Sequence, residues 1–183
     1  MYKKSKISAA ILASAAMFSM GAAQAGDTVN VGFLGALSGP DAGWGLPGLT
    51  GNQMFIDEQN ALGGLLVCGE RYPLKMITFD DEATGSKALQ GAQELVFEHD
   101  VKFISAIGGN PANATHPFLT EAKVIYASLI STDIRPDRPY LIAGGDVTPR
   151  IDMLRPGYHK RKDPSLSRWA VLSQDDALGV SSQ

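Results

Sequence analysis

The chain has 183 residues, 44% of them apolar, with 16 basic and 19 acidic residues and a formal net charge of −3. Its length suits one domain of roughly 100–200 residues, and the mildly acidic balance argues against nucleic acid or an anionic membrane as a partner. The single Cys68 excludes an internal disulfide, and His99, His116 and His159 are scattered, so neither a Cys/His metal centre nor a cofactor is expected.

Lys3, Lys4 and Lys6 precede an apolar, small-residue run from Ile7 to about Ala22 that no acidic residue interrupts. Ala23-Gln24-Ala25 fits the small-x-small rule, so residues 1–25 read as a secretory signal peptide cleaved before Gly26. The run is shorter than the roughly 20 apolar residues a transmembrane helix needs. No cysteine lies near the cleavage point to carry a lipid anchor. The signal holds three basic residues and no acidic one, which leaves the mature part thirteen basic against nineteen acidic.

The mature chain alternates short apolar runs with helical stretches, the pattern of βα units and a doubly wound parallel α/β sheet. Val29–Leu34 is the first strand, followed by a long glycine-rich loop from Gly35 to Gly48. A helix is predicted over Leu49–Leu62, stopped by Gly63-Gly64. Cys68, with Gly69 after it, reads as a turn or strand residue rather than a nucleophile. Tyr72–Phe79 is the second strand and closes on Asp80-Asp81. Adjacent residues of a strand face opposite ways, so these two acids read as a strand-end cap and not as a catalytic pair. Ser86–His99 is a helix, with Ala88, Ala92, Leu95 and Val96 at three- and four-residue spacing. Val101–Ile107 is a third strand ending at Gly108-Gly109, Pro111–Ala122 a helix, Val124–Ser128 a fourth strand, and Tyr140–Ala143 a further short one. Beyond residue 145, Pro149, Pro156 and Pro164 break a strongly basic stretch, which reads as a linker. Arg168–Ser173 then looks like a new strand.

Gly35-Ala36-Leu37-Ser38-Gly39-Pro40 with Gly43-Trp44-Gly45, then Asn60-Ala61-Leu62-Gly63-Gly64, then Asp80-Asp81, resemble in type and order the signatures of leucine/isoleucine/valine-binding proteins. Those are type I periplasmic solute receptors of branched-chain amino acid ABC transporters. Trp169–Gly179 is similar to the opening of that family's second lobe, so the resemblance covers about the first half of a member. It implies two doubly wound lobes that close on a ligand, in which residues 26–145 form the first lobe, 146–167 a crossover and 168–183 the first strand of an incomplete second lobe. It also implies a monomer in the periplasm that delivers a small amino acid-like ligand to a membrane permease, with no cofactor. The family's ligands include branched-chain amino acids, amides, urea and aromatic acids.

Ligands of such sheets lie beyond the carboxyl ends of the strands, which selects the glycine-rich loop, the Gly108–Thr115 segment and Leu129–Asp133. The candidate ligand contacts are Trp44, Asn110, Asn113, Ser131 and Thr132. The resemblance gives Asn113 the place of a serine that holds the ligand carboxylate, Ser131 and Thr132 that of groups binding the α-amino and carboxylate ends, and Trp44 that of an aromatic pocket wall. Other readings stand beside these: Asn113 as a helix N-cap, Ser131 and Thr132 as turn residues.

Enzymatic readings fit less well. No G-x-G-x-x-G follows the first strand, and Asp80 lies too far beyond Gly35 for the ribose-binding acid of a dinucleotide fold. Ser38 lacks a G-x-S-x-G elbow. An exported sensor domain of the same fold is a further alternative. A chain with one lobe is expected to bind its ligand weakly and to expose apolar surface, since closure between lobes supplies much of the affinity.

Overall fold

The computed structural model describes residues 27–131, 134, 136–170, 172, 173, 175 and 179; the signal-peptide reading and Thr132 lie outside them. β1 (Val29–Gly35) leads into α1 (Ala42–Ala61), a short hairpin of β2 (Leu65–Val67) and β3 (Glu70–Tyr72), and then β4 (Leu74–Asp80). There follow α2 (Gly85–Phe97), β5 (Phe103–Gly108), α3 (Asn110–Glu121), β6 (Ile125–Ser131), β7 (Leu141–Val147) and α4 (Thr148–Lys162).

Five strands form one sheet in the order β4-β1-β5-β6-β7, every pair parallel. This is the expected doubly wound α/β arrangement. From β1 the chain winds outward to β4 through α1; from β5 it winds the opposite way to β6 through α3. Right-handed crossovers therefore place α1 on one face and α2 and α3 on the other. The helices α2 and α3 pack on each other, and α1 packs on β1, β4 and β5.

The core lies under α2 and α3. Leu34, Ala92, Leu95, Val101, Ile104, Ala106, Leu119, Val124 and Tyr126 form one buried cluster. The helical spacing of α2 makes this possible, since Ala88, Gly91, Ala92 and Leu95 fall on its buried side. A Cβ on Gly91 would come within 2.3 Å of the Phe79 ring, so the small residue sets how closely α2 approaches β4. On the α1 face, Phe103, Leu129 and Ile142 of β5–β7 remain 43–48% exposed.

Asn60-Ala61-Leu62-Gly63-Gly64 is a joint. The Asn60 amide nitrogen donates to the Leu74 carbonyl and its oxygen accepts from the Leu74 N–H, both at 2.8 Å, so one side chain imitates a neighbouring strand at the start of β4. Gly63 and Gly64 take φ of +91° and +110°, and a Cβ on Gly64 would lie 2.5 Å from the Tyr72 backbone.

Four expectations are corrected. The glycine-rich loop ends at Asp41, because α1 begins at Ala42 and includes Trp44, Pro47, Gly48 and Gly51, not at Leu49. Glycine lowers helix propensity but does not forbid a helix held by tertiary packing. The β2–β3 hairpin was not expected; Cys68 is its exposed turn residue with φ +51°. The last strand runs on to Val147, where Gly144 and Gly145 sit opposite an irregularity between Ser128 and Ile130. Their missing Cβ atoms keep the strand clear of Ser128 and Leu129.

The fourth correction concerns the segment beyond. The proline-broken linker is instead α4. Pro149 lies in its first turn, where no N–H is required, Pro156 is tolerated inside, and Pro164 follows the end. Arg168–Ala170, Leu172 and Ser173 are in no strand. A strand needs a neighbour for its hydrogen bonds, and the described residues contain no second parallel sheet for it to join.

Candidate functional site

Because the winding reverses between β1 and β5, the turns that follow these two strands diverge onto opposite faces and leave a crevice at their carboxyl ends. The turn after β1 is 36–41 and α1 starts at once; the turn after β5 is Gly109 alone. The end of β6 lies beside β5, Gly108 pairing with Ile130.

Gly109 is the N-cap of α3 with φ +72° and ψ −137°, a conformation natural to glycine. Asn110 and Pro111 open the helix. Its N-terminus faces the crevice end with the positive pole of the helix dipole; Pro111 brings no N–H to this turn. The Thr115 hydroxyl, fully buried, donates to the Pro111 carbonyl at 2.8 Å and stabilises this first turn from below.

The sequence-predicted residues fall around this crevice. Trp44 is in the first turn of α1, 65% exposed. Asn110 and Asn113 are the first and fourth residues of α3, both exposed. Ser131 ends β6, its backbone beside Val147. The topology brings Trp44, Asn110, Asn113 and Ser131 to one end of adjacent strands. The N-cap reading of Asn113 is overturned: Gly109 caps the helix, and the Asn113 N–H turns back to the Gly109 carbonyl at 3.3 Å.

Two residues shape the site that the sequence did not mark for it. Asp80, at the end of β4, accepts the Leu37 N–H at 2.8 Å and the Glu82 N–H at 3.0 Å, tying the β1–α1 turn to the neighbouring strand. Burial alone would raise its carboxyl, but hydrogen bonds from the Ser38 hydroxyl and the Leu37, Glu82 and Ser38 N–H groups outweigh it and hold the group below the usual carboxylate range. Gly45 is the other: a Cβ there would meet the Ala36 carbonyl oxygen at 1.8 Å, so only glycine lets the first turn of α1 lie on that turn. The Gly-Trp-Gly spelling signals such a contact only once the helix is known to start before it.

Asp81 is 2% exposed and accepts the Ala83 N–H at 2.8 Å. Burial, reinforced by the charge of Asp80, pushes its carboxyl up against the lowering effect of the Ala83 bond. Burial likewise pushes the Tyr126 phenol up. The Tyr126 hydroxyl has no hydrogen-bond partner of good geometry among the described residues, and the nearby Thr115 hydroxyl offsets the rise only in part. Among the described residues no three His, Cys, Asp or Glu side chains gather as a metal site.

A separate groove of about 450 Å³ runs between α1 and the free edge of β4, lined by Leu49, Gln53, Met54, Asp57 and Met76 among others. It is away from the crevice.

A five-stranded 2-1-3-4-5 parallel sheet with an anion-ready helix start at its switch point defines a ligand-binding α/β lobe. The chain belongs to the periplasmic binding protein family, which it matches over residues 28–183. No curated protein matches the chain. Among solved structures it is similar to the branched-chain amino acid transporter substrate-binding protein LivJ of Streptococcus pneumoniae in complex with isoleucine, at 24% identity and TM-score 0.57 over 67% of this chain and 35% of that one. It is also similar to an ABC-transporter solute-binding protein of Rhodopseudomonas palustris in complex with 3,4-dihydroxybenzoic acid, at 23% identity and TM-score 0.61 over 85% and 41%. The leucine-binding protein LivK of Thermotoga maritima aligns at 15% identity and TM-score 0.62 over 74% and 37%. The chain thus spans well under half the length of these proteins, and the likeness establishes the lobe's fold.

Proposed function

We propose that this chain supplies one wall of the ligand cleft of an exported ABC-transporter substrate-binding component, which takes an amino acid or a related small carboxylate or amide and hands it to a membrane permease. The observation that carries the reading is the coincidence of the topological switch point with the first turn of α3. A ligand carboxylate set there meets the positive end of that helix's dipole, with the Asn110 and Asn113 amides as side-chain donors and Ser131 and Thr132 as further contacts. Trp44 across the crevice offers an apolar face. Isoleucine and 3,4-dihydroxybenzoate, the ligands of two structures of like fold, both join a carboxylate to an apolar body and suit such a surface.

The reading is of binding without catalysis. Asp80 and Asp81, the paired acids at the end of β4, already accept backbone N–H groups and serve the turns rather than a substrate proton. Residues 1–25 act as the export signal, the mature protein works in the periplasm as a monomer, the lobe expected over 26–145 extends to Val147 at the end of β7, and α4 with the segment after it leads toward the second lobe.

The test is a nuclear magnetic resonance titration with isoleucine, leucine and hydroxybenzoates at millimolar concentration. The Trp44 indole and the Asn110 and Asn113 amide signals are expected to shift, with those of the α1–β4 groove unmoved. Shifts confined to the groove, or none with any of these ligands, would remove the reading.

A further inference from the structure

The hydrogen bonds of β4 fix which of its backbone groups are free. The Val29 N–H donates to the Pro73 carbonyl at 2.8 Å and the Asp81 N–H to the Gly35 carbonyl at 3.2 Å, and between these two bonds β4 runs in unbroken parallel register with β1. Successive residues of a strand turn their N–H and C=O groups to opposite sides, so the odd-numbered residues of β4 face β1 and the even-numbered ones face outward. Asn60 takes both outward groups of Leu74. Those of Met76 and Thr78 pair with no described residue, since β4 is the last strand of the sheet on this side. Strand edges are usually guarded by a charge, a bulge, a proline or a covering element. Here Pro73 precedes the strand, and the Lys75 side chain lies on the face opposite Met76 and Thr78.

The same two residues line the groove of about 450 Å³ beside α1, together with Leu49, Gln53, Met54 and Asp57. Free main-chain donors and acceptors along a trough of leucine and methionine are the two parts of a strand-addition site: the backbone pairs, and every second side chain of the added strand enters the trough. The bareness of this edge does not come from the path of the chain beyond β7. That path leaves from the opposite edge of the sheet, where α4 packs on β7. The ligand crevice lies across the strand ends, whereas this edge runs along the flank.

We propose that the free edge of β4 and its groove dock an extended polypeptide segment as a sixth strand, with large apolar side chains in the groove and a basic residue at Asp57. Charge complementarity selects this occupant. Asp57 is the one charged residue of the lining, and α1 carries Asp57 and Glu58 with no basic residue. A second copy paired at the same edge would bring a second acidic α1 to the first, whereas a basic segment is attracted. A small molecule fills the trough but leaves the Met76 and Thr78 backbone unpaired. The inference stands whatever the crevice binds.

The probe is the peptide acetyl-Arg-Thr-Leu-Thr-Val-Thr-amide at millimolar concentration, followed by nuclear magnetic resonance and hydrogen exchange. In the free chain the Met76 and Thr78 N–H groups should exchange faster than those of Ile77 and Phe79; with peptide they should shift and become protected. Two further peptides, one N-methylated at leucine and valine and one at the second and fourth residues, separate pairing from apolar contact. One of the two should bind about tenfold more weakly than the parent and the other like it, because only alternate N–H groups face β4. Asp57→Asn should weaken binding about threefold at low salt. Met76→Pro removes an outward N–H that β1 does not use. It should therefore lower affinity about tenfold, with the Ile77 and Phe79 N–H groups still protected. No binding of the parent peptide, equal binding of both methylated forms, or shifts at the crevice instead of the groove would each overturn the proposal. So would protection of Met76 and Thr78 without peptide, whether constant, as for an edge already paired, or rising with protein concentration, as for a second copy.

Discussion

At the level of single residues, the two adjacent acids at the end of β4 are the clearest case of identical side chains shifted in opposite directions. Asp80 is lowered and Asp81 raised, so they act oppositely on stability. The contribution of Asp80 is complete above the ordinary carboxylate pKa of about 4 and is lost as the pH falls through its lower folded value. The charge on Asp81 is instead a cost at neutral pH that protonation relieves. Asp80→Ala, which strips the Leu37 N–H of its acceptor, is expected to lower unfolding stability by about 2 kcal/mol at pH 7. Urea denaturation should show that difference closing toward pH 3; an equal loss at both pH values would assign the effect to packing. The sequence showed a paired acid after a strand, but not that one member reaches across to the next strand's turn. That contact exists only because β4 lies beside β1.

Among the elements, those with periodic patterns were legible and those defined by tertiary contact were not. The stripe of α2 and the short apolar runs of β1, β5 and β6 could be read directly. The start of α1 could not: Gly43, Gly45, Pro47 and Gly48 spell a loop, yet packing on Ala36 and the sheet makes them helical. Gly144-Gly145 spell a turn and lie in β7 because a bulge requires them there. For the candidate site, the rule that ligands gather at strand carboxyl ends selected the loops that hold Trp44, Asn110, Asn113 and Ser131, and the family resemblance their proposed roles, whereas Asp80 and Gly45 were hidden in contacts between elements. The joint between α1 and β4 is the most testable of these. Asn60→Ala removes two hydrogen bonds to Leu74 and leaves the start of an edge strand without its side-chain partner. A loss of about 1–3 kcal/mol is expected, with faster hydrogen exchange of the Leu74 N–H. Unchanged exchange there would show that the asparagine does not hold the strand.

For the whole molecule, the proposed export has a direct readout. Intact mass of the protein recovered from a periplasmic extract should correspond to removal of residues 1–25; a protein found only in the cytoplasm with Met1–Ala25 attached would contradict the periplasmic reading.

The strand order carries one more consequence, for how the chain assembles. β1 is made early but sits inside the sheet, with β4 on one side and β5 on the other. No stretch shorter than 29–108 contains β1 and both of its neighbours. Every pairing in this sheet also waits for an intervening helix or long connection to be made, which slows closure. Phe33 and Leu34, among the most deeply buried residues of the finished lobe, therefore emerge ahead of the rest of its core and remain uncovered longest. Whatever machinery handles the nascent polypeptide meets this core strand before anything exists to hide it.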